Sequence, residues 1–93
     1  MNVTKNAKVE LNRILETRAL DPGKYLRLTV PPAWTGEGDF GIVIDDDGEG
    51  DQAVDFEGRK VLIVGVDLED KLRYAILDFK ESPDGPRFTL DVF

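Results

Sequence analysis

The tripeptide Asp21-Pro22-Gly23 divides the chain into two parts with different hydrophobic periods. Before it, Ala7, Leu11, Ile14 and Leu15 fall at i, i+4, i+7 and i+8. That spacing places them on one stripe of a helix. Thr4 stands where an N-cap hydroxyl would accept from an N–H two or three residues on, so a helix is expected over residues 4–20. Val9 lies off the stripe. Proline cannot continue the helical hydrogen-bond ladder, and glycine permits the turn that follows.

After residue 23 the alternation is that of strands, with side chains pointing to opposite faces in turn. Tyr25–Val30 puts Leu26, Leu28 and Val30 on one face, and Phe40–Asp45 does the same with Phe40, Ile42 and Ile44. Pro31-Pro32 stops the first of these strands. Ala53–Glu57 and Lys60–Val66 flank Gly58-Arg59 and predict a hairpin. Lys60–Val66 is almost wholly apolar, as in a strand covered on both faces. Asp67–Leu72 suits one or two helical turns. Arg73–Phe79 and Arg87–Phe93 are two further expected strands, joined by the turn sequence Ser82-Pro83-Asp84-Gly85-Pro86. Six strands behind one helix predict a mainly β (α+β) fold, with residues 1–93 as a single domain.

Composition narrows the chemistry. The chain has no cysteine and no histidine. Disulfides, thiolate metal ligands and thiol nucleophiles are excluded, and so is any Ser-His-Asp arrangement around Ser82. The net charge of −7 argues against nucleic acid and against anionic membrane surfaces. No apolar stretch approaches the roughly 20 residues of a membrane helix, and residues 1–12 lack a signal-peptide core. A cytoplasmic location is the expectation.

The charge is uneven. Residues 1–36 carry +3, residues 37–57 carry −9 and residues 58–93 carry −1. Five carboxylates lie within Asp45–Asp51, which reads as a solvated β-hairpin loop. Asp45, Asp47, Glu49 and Gly50 match positions 1, 3, 5 and 6 of a calcium loop, but position 12 is Phe56. The alternative function from this segment is a weak hard-cation site through Asp45, Asp47, Glu49 and Asp51. Paired carboxylates such as Glu37, Asp39 and Asp45 lack the apolar surroundings that acid–base catalysis demands. Trp34, alone in the Pro31–Asp39 loop, is either a partner anchor or a cover for a sheet edge. Gly36, Gly38 and Gly41 do not make a phosphate loop, because no Lys-Ser/Thr and no helix follows.

In order, these pieces resemble the HesB/IscA-like A-type iron–sulfur carriers over nearly the whole chain. Val3-Thr4 with Ala7, Leu11 and Leu15 is similar to that family's opening helix, and Leu26–Val30 to its "LRLxV" strand. Phe40–Asp45 is similar to the strand after the family's first cysteine loop. Asp51, Phe56-Glu57-Gly58 and Lys60–Ile63 are similar to its hairpin. Leu72, Leu77-Asp78-Phe79 and Phe88-Thr89-Leu90 are similar to its last segments.

The resemblance implies a mixed β-sandwich or pseudo-barrel of six to seven strands with the N-terminal helix packed on it. It also locates the departures. Counted from Val30, the family's first cysteine falls on Thr35, and the sequence stops at Phe93 before the family's Cys-Gly-Cys tail. No cofactor is therefore expected, since a soft cluster has no sulfur ligand here. What remains is a non-catalytic domain that binds a protein partner in iron–sulfur or sulfur metabolism, as a monomer or weak homodimer. Trp34, Thr35 and Asp46 are the candidate contact residues.

Overall fold

A computed structural model describes residues 1–92, and Phe93, the last residue of the expected final strand, lies outside them. The elements in chain order are β1 (Asn2–Val3), α1 (Lys5–Thr17), β2 (Lys24–Thr29), β3 (Gly41–Asp46), β4 (Gln52–Phe56), β5 (Arg59–Val64), α2 (Val66–Lys71), β6 (Ile76–Lys80) and β7 (Arg87–Asp91). They form a four-stranded sheet, β3-β2-β5-β4, and a three-stranded sheet, β1-β6-β7. Both sheets are mixed: β2 runs parallel to β5 and β1 parallel to β6, while the other pairs are antiparallel. The mainly β, α+β fold expected from the sequence is the fold observed.

Helix α1 begins where Thr4 predicts. The Thr4 hydroxyl accepts from the Ala7 N–H at 3.2 Å and donates to Asp78 Oδ1 at 2.6 Å. One side chain thus satisfies an orphan helix donor and ties the helix to β6. The hydroxyl, together with the Phe79 N–H, holds the Asp78 carboxyl below the ordinary carboxylate range. The helix ends at Thr17 rather than residue 20. The Thr17 hydroxyl and the Arg18 N–H both donate to the Ile14 carbonyl, and Arg18 is already extended.

Ala7 and Leu11 from α1 pack into a core with Leu26, Leu28, Leu62, Val64 and Leu77. Val61–Val64 are all buried, as a strand covered on both faces must be. Phe79 and Phe88 face each other across β6 and β7 in a T-shaped pair, centroids 4.9 Å apart.

Two local expectations are corrected, and one strand is added. The β4–β5 turn is Glu57-Gly58, not Gly58-Arg59, because Phe56 pairs with Arg59. Both turn residues have positive φ, 51° and 80°, the geometry that matches the twist of a two-residue hairpin. Arg73-Tyr74-Ala75 is a turn closed by the Ala75 N–H on the Leu72 carbonyl, so β6 starts only at Ile76. Strand β1, two residues long, is too short to show an alternation; its Val3 is buried beside Leu77.

Candidate functional site

Two connections carry the residues singled out from the sequence, one on each side of β3. The first, residues 30–40, joins β2 to β3 and contains a cis Pro31-Pro32 peptide bond. The Trp34 N–H donates to the Val30 carbonyl, and its indole Nε1 donates to the Glu37 carbonyl, both at 3.0 Å. Its ring lies directly on Gly36 and Gly41, where a Cβ would overlap it. Trp34 is therefore half-buried packing at the sheet edge, one of the two roles the sequence allows it, and those two glycines are needed for close approach. Thr35, by contrast, is exposed. Gly41→Ala should push the indole off the sheet, seen as a red shift in the emission of this sole tryptophan. An unchanged spectrum would contradict the packing.

The second connection is the acidic segment between β3 and β4. It is not a hairpin loop, because β3 and β4 are the two opposite edges of their sheet. It crosses the face of the sheet, and Arg27 on β2 anchors it there. Arg27 Nε donates to Asp45 Oδ2 at 2.8 Å, Nη1 to Asp51 Oδ1 at 3.1 Å, and Nη2 to Asp51 Oδ2 at 2.5 Å and the Asp46 carbonyl at 2.9 Å. Asp51 also accepts from the Gly48 N–H at 2.6 Å, closing the loop on itself.

The Arg27 and Asp51 side chains are only 16% and 10% exposed, so this pair is shielded from water far better than a surface ion pair. The guanidinium beside Asp51 holds its carboxyl below the ordinary range and raises the Arg27 pKa in turn. The segment is thus not simply a solvated loop. Arg27 was missed as its organiser because alternation only places it on the face opposite Leu26 and Leu28.

The candidate contact residues do not converge on one spot. Gly41, beneath Trp34, and Asp46 lie at opposite ends of β3, about 17 Å apart at strand rise. Asp46 is exposed and paired with Lys24 Nζ at 2.7 Å. What the fold does bring together is Pro31–Ala33, Glu49, Asp51 and the start of α2 at Val66, around a groove of about 460 Å³. Val66 is 56% exposed at its side.

As for the hard-cation alternative, Asp45 and Asp51 give their carboxylates to Arg27. Among the described residues no three His, Cys, Asp or Glu side chains converge in a way that could hold a metal ion. Among them also, no helix is long and apolar enough to cross a membrane.

The donors offered by the Pro31–Asp39 loop are the Thr35 hydroxyl and the Glu37 and Asp39 carboxylates. These are hard oxygen ligands, and an iron–sulfur cluster takes thiolate or imidazole. The residues do not fit such a group.

No protein-family model matches the chain, and no curated protein matches it in sequence. Solved structures do. The chain is similar to Escherichia coli SufA, described as involved in biosynthesis of iron–sulfur clusters, with a TM-score of 0.67 and 20% identity over 98% of this chain and 83% of that one. It is similar to IscA, solved with a 2Fe–2S cluster, with a TM-score of 0.60 and 20% identity over 98% of this chain and 80% of that one. From end to end, a sequence without a single cysteine has the fold of SufA and IscA, the A-type iron–sulfur carriers.

Proposed function

We propose that this protein is a non-enzymatic, cluster-free relative of the A-type carriers that acts by binding a protein partner linked to iron–sulfur or sulfur metabolism. One observation carries the reading: the chain shares the fold of SufA and IscA over 98% of its length, while the loop that follows β2 offers only oxygen donors. A fold kept without the ligands for its chemistry leaves its surface as the working part.

The contact face is the groove where Pro31–Ala33 meets Glu49 and α2, with exposed Thr35 on the same connection. Val66 supplies an apolar centre, and the carboxylates of Glu49, Asp51 and Asp67 outnumber the cations Arg27 and Lys71 on the walls. Such a face suits a basic partner, whose approach the −9 segment would steer.

The test is affinity capture from the source cell with the native chain and with the double variant Thr35→Arg, Glu49→Lys. Both positions are exposed, so the variant should fold normally. The partner recovered by the native chain should be lost with the variant. Equal recovery by both would sink the assignment of this face.

A further inference from the structure

Helix α1 packs chiefly on β4, β5 and β6, and the inner face of the edge strand β3 lies to one side of it. Ile42 and Ile44 project from that face, level with Leu28 and Leu26 of β2. With Ile14 of α1, Phe40 and Phe88 they wall a groove of about 500 Å³, within the size range of small-molecule sites. Ile44 is 47% exposed, a large apolar side chain facing water at the groove's side.

Two features of this groove limit what it can take. Among the described residues, Arg18, which follows the end of α1, is the only charged one lining it, and it makes no ion pair there. Arg18 also borders the adjoining hollow with Lys24, Arg59 and Lys60, so in a chain of net charge −7 the groove opens onto a basic rim. The other lining side chains are apolar apart from the Trp34 indole, whose N–H is already spent on the Glu37 carbonyl. The walls offer the body of a ligand no free side-chain donor or acceptor. A hydrocarbon chain asks for none.

We propose that this groove binds an aliphatic monocarboxylate, with its alkyl chain between α1 and β3 and its carboxylate on Arg18. The site is separate from the partner face above and stands or falls independently of it. The geometry also supplies the readout, because Trp34, the sole tryptophan, lines the groove.

The experiment is a fluorescence titration of the full chain with decanoate below its micelle concentration, repeated with decyltrimethylammonium and with the variants Arg18→Gln and Ile44→Lys. Decanoate should change the emission saturably, and the cationic amphiphile should not. Arg18→Gln should weaken decanoate about threefold or more, as loss of a favourable ion pair at a partly wet site does. Ile44→Lys should weaken it by placing a charge against the alkyl chain; both replaced side chains are exposed, so the variants should fold. Three results would overturn the proposal: no saturable change at millimolar decanoate, equal response to both amphiphiles, or undiminished binding by Arg18→Gln. A ligand-free emission that shifts with protein concentration would do so too, by assigning the groove to a second copy of the chain.

Discussion

Replacing Leu77 by alanine should lower stability by about 3–4 kcal/mol, the cost of emptying a fully buried leucine site. Leu77 is fully buried on β6, the middle strand of the three-stranded sheet, between Val3 of β1 and Leu90 of β7. It belongs to the same core as Ala7 and Leu11 of α1. Truncation removes three heavy atoms where helix and sheet meet, and three neighbouring elements cannot all move in to refill the space. For a chain of 93 residues, each 1 kcal/mol corresponds to roughly 4–8 °C in Tm, so a fall of about 15–25 °C is expected by scanning calorimetry. Val9→Ala is the matched control. Val9 is 47% exposed, and its loss should stay within about 0.5 kcal/mol. Equal effects of the two substitutions would contradict the core as described.

Arg27→Leu should cost about 2 kcal/mol, through a different mechanism. It leaves the Asp51 carboxylate, only 10% exposed, without its strongest partner, and releases Asp45 and the Asp46 carbonyl as well. Breaking a fully buried pair costs roughly 3–5 kcal/mol; the lower figure reflects the water that still reaches the segment's rim. The substitution also changes the pH dependence. Asp51 has a folded-state pKa below its unfolded value of about 3.9. Its contribution is fully present above that unfolded value and is lost as pH falls through the lower folded one. The native chain should therefore lose stability on acidification below about pH 4, and Arg27→Leu should lose less over the same interval. Urea midpoints measured between neutral and acid pH would show the two curves converging. Parallel curves would contradict the assignment of Arg27 as the acidic segment's anchor.

The parts of this structure that were legible from sequence are those in which one residue decides locally. Thr4 caps a helix by the reach of its own hydroxyl, and Leu26 with Leu28 declares a buried face by alternation. Pro31-Pro32 ends a strand because neither residue can donate to a ladder. The illegible parts depend on strand order. Whether the acidic segment turns back or crosses the sheet depends on β5 lying between β2 and β4, which no window of sequence contains.

The same order explains the rest of the candidate site. Arg27 becomes an anchor only because the crossing brings Asp51 over it. From sequence Trp34 is either a partner anchor or an edge cover, and Gly41, seven residues on, is the seat that decides between them. Arg18 gave no sequence signal, being one cation among six in residues 1–36. Its place beside an apolar groove follows from where α1 stops. The whole-chain resemblance succeeded where the local reading stopped, because the order and spacing of six weak segments encode the topology.

The proposed role requires a carrier fold that cannot assemble a cluster. Anaerobic incubation of the purified chain with ferrous iron and sulfide, followed by desalting and a visible spectrum, tests it most directly. The protein should stay colourless, with no stoichiometric iron or sulfide retained. A visible cluster spectrum with iron and sulfide bound in stoichiometric amount would contradict it.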